Sequence, residues 1–456
     1  MKSLIVTLLG LLSCAPSCLA VNPIIQTLFT ADPAPMVYND KVYLYTTHDE
    51  DGSTWFTMKD WRVYSSDDMV NWTDHGSPLS LDDFSWASKD AWAAQCIERN
   101  GKFYFYICAH HTELNRMAIG VAVSDSPTGP FVPPFDEPLV AAHWGDIDPT
   151  VFIDDDGQAY LYWGNPHLWY VKLNEDMISY DRELGVVQVP LTQEGFHTRE
   201  EVTEERPSAY EEGPWLYKRE ELYYMLYPAG GVPEHLAYSY GPSATGPWQY
   251  GGVIMEVIEE GGAFTNHPGL IEYKGNAYLF YHNGALPGGG GFNRSVCVEP
   301  FEFNADGSIP LIEPTREGVV EAVAWLNPYR RVEAETIAWT GGVETERDAQ
   351  VGMVVTDIDD GDFIRVRSVD LGEGPAQFTA SIAAAESGGS IEIRLDSRDG
   401  TLIGTCSLEA GNSPDDWVMQ SCDVAPITGV HDLYFVFEKV SQKQVRFDFW
   451  KFSKQG

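Results

Sequence analysis

The sequence predicts an all-β protein: a five-bladed β-propeller followed by a β-sandwich of jelly-roll type. Three observations carry this. A hairpin template recurs five times, opening at Asp32, Trp92, Asp148, Glu212 and His267, and an aromatic strand follows each opening residue by 11 or 12 positions. The copies start 60, 56, 64 and 55 residues apart, a period of the size expected for one multi-stranded blade. No stretch sustains a 3.6-residue apolar period, so helical layers are excluded.

Each hairpin has an apolar strand, a polar turn and an aromatic strand. The turns are Asn39-Asp40, Asn100-Gly101, Asp155-Asp156-Gly157, Arg219-Glu220 and Lys274-Gly275-Asn276, all polar. Between hairpins, VYSSDDMVNWTDHG, VAVSDSPTGPFVPP and LAYSYGPSATGPWQYGG read as third and fourth strands ending in Gly/Pro turns. A glycine-rich loop, LPGGGGF, and a closing strand complete the fifth unit. The innermost strand of a propeller blade borders the axis, so the five opening residues are expected to converge on one funnel. From about residue 326 the strands become shorter and alternate, as in DFIRVRSVDL and HDLYFVFEK, which suits a sandwich. The expected organisation is a leader at 1–20, a propeller at 21–325 and a sandwich at 326–456.

The leader is read from Lys2, the apolar run Leu4 to Leu12 and a small-residue site ending at Ala20, which together imply secretion to the extracellular space. That run is too short to span a bilayer. Sixty-eight acidic against 29 basic residues give a formal charge of −39, which repels nucleic acid, anionic membranes and polyanions such as pectate but suits a neutral polysaccharide. Beyond the leader, Cys96 and Cys108 are expected as buried thiols and Cys406 with Cys422 as a disulfide. No Cys/His spacing suggests zinc. Asn71 and Asn293 open glycosylation sequons, the first expected exposed in a turn and the second occluded.

The openings carry the chemistry. Asp32 and Asp148 each follow an apolar residue and precede proline, and Glu212 stands at the same offset. Three carboxyls facing one cavity supply what glycoside hydrolysis requires: a base for water, an acid for the leaving oxygen and a charge that tunes the acid. Glu211 alternates to the opposite face from Glu212, and the offset favours Asp148 over Asp146.

The segments ADPAPMVYNDKVYLYTTHDE, DIDPTVFIDDDGQAYLYWGN, YEEGPWLYKR and NHPGLIEYKG, with YHNGALPGGGGFNRSVCVE, resemble glycoside hydrolase family 43 from about Asn22 to Pro314. The resemblance implies inverting, exo-acting cleavage of arabinose- and xylose-containing polysaccharides, in the branch of β-xylosidases and α-L-arabinofuranosidases. It makes Asp32 the base, Glu212 the acid and Asp148 the modulator of Glu212, and it sets Arg294 against the terminal sugar. Trp92 either stacks on a sugar or belongs to blade core, and His48-Asp49 is a candidate for the pocket wall. His267 is a candidate ligand of an axial ion, commonly calcium in this family, or a substrate or core histidine. Catalysis itself needs no cofactor. An endo-arabinanase and a sugar-binding lectin are the competing readings; the long insert from Leu191 to Ser208 argues for a pocket, not an open cleft.

RVEAETIAW, DIDDGDFIRVRSVDLG, GGSIEIRLDS, GVHDLYFVF and FDFWKF resemble a family 6 carbohydrate-binding module over about Arg331 to Lys454. Glu333, Glu335 and Asp448 are candidate ligands of a structural calcium. The residues mapped to the family's sugar cleft depart from its pattern: Asp357 and Pro414 (or the neighbouring Trp417) stand for the aromatics and Arg446 for the amide, which puts cleft binding in doubt.

Overall fold

The computed structural model describes residues 21–385, 388–411, 413, 415–440 and 445–454; the expected leader and Pro414 lie outside them. All of the five predicted hairpins form. Tyr38 pairs with Lys41, Arg99 with Lys102, Arg219 with Leu222 and Tyr273 with Asn276, so four of them share a two-residue loop. Asn39 and Asp40 have φ 48° and 58°, Asn100 and Gly101 56° and 77°, Lys274 and Gly275 49° and 84°. Two successive left-handed residues twist the loop in the sense that the strands themselves twist.

Among the described residues these hairpins grow into five antiparallel sheets. The first strands are Thr30–Tyr38, Ala87–Arg99, Thr150–Ile153, Trp215–Arg219 and Gly269–Tyr273. Each abuts the first strands of the sheets before and after it, and the fifth closes on the first. The aromatic second strands supply much of the packing between sheets: Tyr45, Phe105, Tyr162, Tyr227 and Tyr281 are all buried. Outer strands such as Asp60–Ser66, Arg116–Ser124, His235–Gly241 and Ser295–Phe301 complete the sheets.

Residues 332–453 form two further sheets facing each other across a separate apolar core that includes Phe378, Phe435, Phe447 and Trp450. Trp450, wholly buried, is its central tryptophan; Trp417 is half-buried beneath the Arg446 guanidinium. The sandwich is joined to the first sheet by main chain. Thr336–Ile337 pairs antiparallel with Trp72–Thr73, extending that sheet by one strand.

Asn71 belongs to this join, which corrects the expectation that it is exposed. Its Nδ2 donates to the Arg367 carbonyl at 2.9 Å, and its Oδ1 accepts the Arg367 N–H at 2.8 Å. Asp68 gathers the turn by accepting the Val70 and Asn71 N–H groups, and this turns Asn71 inward. Asn293 is buried as expected, donating to the Glu50 carbonyl at 3.1 Å. Cys96 and Cys108 are buried thiols. Cys406 and Cys422 also correct an expectation: they are neighbours, each perturbing the other's ionisation, but they are thiols and not a disulfide.

Candidate active site

The ring of first strands brings the five opening residues to one end of the axis, where Asp32, Trp92, Asp148, Glu212 and His267 all line a cavity of about 240 Å³. The template explains how the acids turn inward. Asp32 and Asp148 have φ 51° and 57°, left-handed conformations that aspartate tolerates better than most residues, and the following prolines lead into the strands. At the fourth opening the left-handed residue is Gly213, φ 48°, immediately after Glu212. A Cβ on Gly213 would stand 3.0 Å from the His267 ring, so glycine is required there for space as well as for conformation.

Asp32 is held on every side. Its Oδ1 lies 3.1 Å from Arg294 Nη1 and 3.3 Å from His267 Nδ1, and its Oδ2 accepts the Thr47 hydroxyl at 2.9 Å. Its own N–H donates to His282 Nδ1 at 3.1 Å, while His282 Nε2 faces the Thr265 carbonyl at 2.8 Å. Those two contacts fix the neutral Nε2–H tautomer of His282. Glu212 is held at both oxygens, with His267 Nε2 3.3 Å from Oε1 and Asn165 Nδ2 donating to Oε2 at 2.5 Å. Asp148 accepts the Gly213 N–H at 3.3 Å. Carboxylate oxygens of Asp148 and Glu212 and a His267 nitrogen lie within 4.8 Å of one another.

Burial alone would raise the Asp32 carboxyl, but Arg294, His267, His282 and the Thr47 hydroxyl pull it down to about 2. Asp32 is therefore ionised across the neutral range and able to accept a proton. Asp148 is raised, first by burial and then by the charges of Glu212 and Asp32. Burial acts on Glu212 in the same direction, yet His267 and Asn165 hold it below the usual range. Burial disfavours a charged His267, but Asp32, Glu212 and Asp148 together raise it to about 10. The centre thus sets an imidazole that its carboxylate neighbours favour as imidazolium between Asp32 and Glu212, with Asp148 raised and Glu212 lowered beside it.

The neighbouring acids have other duties. Asp146 accepts the Ala142 and His143 N–H groups and the Trp163 indole, fixing the turn before Asp148. Glu211 corrects the expectation that it faces away from Glu212: it lines the same cavity, where Arg199 and Arg206 pair with its carboxylate. Arg294 lines the cavity as expected. Asp49 is completely buried and does not line it; it binds Arg294 through the N–H, Nε and Nη2. His48 departs further from expectation: alternation turns it away, to pair with Asp60 at 2.8 Å. Trp92 lines the cavity, and its indole donates to the Phe56 carbonyl at 3.0 Å.

Asp148, Glu212 and His267 lie close enough together to hold a metal, but each ring nitrogen of His267 already faces a carboxylate at 3.3 Å, with which an axial ion would compete. The sandwich carboxylates suit a hard cation better. All their donors are oxygen, and Glu335 Oε2 is buried without a partner, its carboxyl raised to about 9 by burial and then by Glu333, Asp74 and Asp448. Arg331 neutralises Glu333 and Asp448, each at 2.8 Å, so an ion bound by all three carboxylates must displace that guanidinium. In the expected sugar cleft, Arg446 lies over the Trp417 ring and pairs with Asp348 and Asp415, covering the one aromatic available for stacking.

Thr47, Asn165, Glu234, Thr265 and His282 complete the site or its support, and the template names none of them. They come from second strands and connecting loops that carry no common offset. Glu234 is buried, lines the cavity and accepts the Asn266 N–H at 3.0 Å; burial and then Glu212 raise its carboxyl far above the usual range.

A cavity walled by paired carboxyls at the end of a ring of β-sheets defines a glycoside hydrolase, and comparison with known proteins agrees. Residues 20–309 match the model of glycosyl hydrolases family 43, and the chain belongs to that family. Residues 333–454 match carbohydrate binding module family 6. An arabinoxylan arabinofuranohydrolase of Bacillus subtilis (strain 168) is 32% identical, the alignment covering 95% of this chain and 92% of that one. The xylosidase/arabinosidase 43A of Humicola insolens is 34% identical over 64% of this chain and 99% of its own. A crystal structure of the B. subtilis arabinoxylan arabinofuranohydrolase in complex with cellotetraose superposes with TM-score 0.81 at 30% identity, covering 96% of this chain and 98% of that one.

Proposed function

We propose that the protein is a secreted, inverting exo-glycosidase that removes single L-arabinofuranosyl units from arabinoxylan, with D-xylosyl termini as the competing substrate. The five sheets are read as blades of one propeller, residues 21–325, followed by an accessory sandwich at 326–456. The observation that carries the reading is the placement of Asp32 and Glu212 on opposite nitrogens of His267. The ring nitrogens are about 2.2 Å apart, so this bridge allows the facing oxygens a separation of up to about 9 Å, room for the water that inversion places between base and sugar.

Asp32, ionised and oriented by Thr47 and Arg294, takes the proton of that water as it attacks the anomeric carbon. Glu212 gives a proton to the departing glycosidic oxygen. A sugar packed against Glu212 excludes water from its carboxylate and raises its basicity, so that with the nearby Asp148 charge Glu212 takes up the proton it then delivers. Trp55, Trp144 and Val232 stand exposed on the cavity wall, an apolar rim on which the remainder of a polysaccharide lies while one pentose enters. Calcium held by Glu333, Glu335 and Asp448 would tie the first strand of the sandwich to its last and take no part in the reaction.

The test is hydrolysis of paired aryl α-L-arabinofuranosides and aryl β-D-xylosides, with the first-formed anomer followed by NMR. Faster release of arabinose with inverted configuration is expected. Retained configuration overturns the mechanism, and preference for xylose overturns the assignment of the sugar.

A further inference from the structure

The insert between the third and fourth sheets reaches the active site through Arg206, which lines the cavity, with Arg199 behind it on Glu211. Arg206 Nη1 binds Glu211 Oε2, and Nη2 donates to Asn165 Oδ1 at 3.0 Å. Arg199 Nη1 holds the other oxygen of Glu211 at 2.8 Å. Asn165 in turn donates Nδ2 to Glu212 Oε2 at 2.5 Å. A guanidinium can only donate, so Arg206 compels Asn165 to turn its oxygen toward the insert and its amino group toward Glu212. With His267 on Oε1, the Asn165 amino group is the second point that fixes the carboxyl plane.

We propose that Arg206 is a positioning residue for the catalytic acid, acting through Asn165, and that Glu211 is its anchor. The proposal rests on the reading of Glu212 as the acid. Without Arg206 the Asn165 amide is free to rotate, and Glu212 keeps a single fixed contact on the His267 side. A carboxyl misdirected by an ångström loses proton transfer to the leaving oxygen while substrate binding is largely kept.

Leaving-group dependence separates this from a general structural role. Dinitrophenol departs without protonation; phenol does not. With a series of aryl α-L-arabinofuranosides, or β-D-xylosides if those are the better substrates, Arg206→Met is expected to lose about 10- to 100-fold in kcat on the phenyl glycoside. On the dinitrophenyl glycoside it should lose less than about threefold, with KM little changed on either. Arg206→Lys keeps one donor of the fork and should fall between Arg206→Met and the parent. Asn165→Ala should reproduce the same slope, and combining it with Arg206→Met should add no further loss, because both act along one chain of contacts. If Arg206→Met does not fold, the Lys and Asn165 variants carry the test alone.

Equal losses across the series, or additive losses in the double variant, overturn the proposal. Glu212→Gln is the control. If that variant also shows no dependence on the leaving group, the assignment of Glu212 as acid fails with it. If Glu212→Gln shows the dependence and the Arg206 and Asn165 variants do not, only the positioning role falls.

Discussion

On the proposed mechanism, replacing Asp148 by asparagine isolates the charge that tunes the acid. Carboxylate oxygens of Asp148 and Glu212 lie no more than 4.8 Å apart. Two unit charges at that distance repel by about 3.5 kcal/mol at an effective dielectric near 20. That corresponds to roughly two and a half pH units in the affinity of one carboxylate for its proton. Asparagine preserves shape and removes the repulsion, leaving Glu212 to His267 and Asn165, both of which favour its ionised form. The proton needed for the leaving oxygen is then lost at lower pH. The alkaline limb of kcat/KM for an unactivated glycoside should move down by about two units, and activity at neutral pH should fall about 100-fold. The acidic limb, assigned to Asp32 as the proposed base, should stay in place or move slightly lower. Rates measured from pH 3 to 9 on phenyl and dinitrophenyl glycosides are the assay; the dinitrophenyl rate should be nearly indifferent. An alkaline limb that stays put or moves upward refutes the coupling of Asp148 to Glu212.

Other perturbations test the rest of the centre. Arg294→Met removes the strongest of the groups that lower Asp32 from 3.8 to about 2, so the acidic limb of kcat/KM should rise toward or beyond pH 3.8; an unmoved limb would show that Asp32 is not the base. Asp49→Asn leaves the Arg294 guanidinium buried with half its charge compensation and should cost about 3–5 kcal/mol in chemical denaturation. Trp450→Ala opens the sandwich core beside Phe378 and Phe435, and a similar loss of about 3–5 kcal/mol is expected there. Expressed in a glycosylating host, the folded protein should show no mass change with endoglycosidase, because Asn71 and Asn293 are both committed to internal hydrogen bonds.

Much of this was legible in the sequence because the hairpin template is local. A two-residue turn, an alternating strand and a marked first position are all written within about 15 residues, and the five copies share one geometry. That is why Asp32, Asp148, Glu212, Trp92 and His267 meet where the repeat offset puts them. His48 and Asp49 show where local reading was incomplete. Both were candidates, but successive strand residues face opposite ways, and only the buried guanidinium of Arg294 decides which one turns inward. Asn165, His282 and Arg206 were beyond reach, since their partners are fixed by how separate sheets and an insert close around the axis. The exposed reading of Asn71 failed for a related reason. Its turn is covered by Arg367, nearly 300 residues further along the chain.

The strand Thr336–Ile337 gives the second half of the molecule a meaning beyond attachment. A module on a flexible linker searches a volume and raises the local concentration of whatever it holds. One that continues a sheet of its neighbour has a single orientation, and a polymer gripped by it would present its branches to the funnel at one angle. In this chain the sandwich is a fixed arm, held at one angle to the funnel by the sheet it extends.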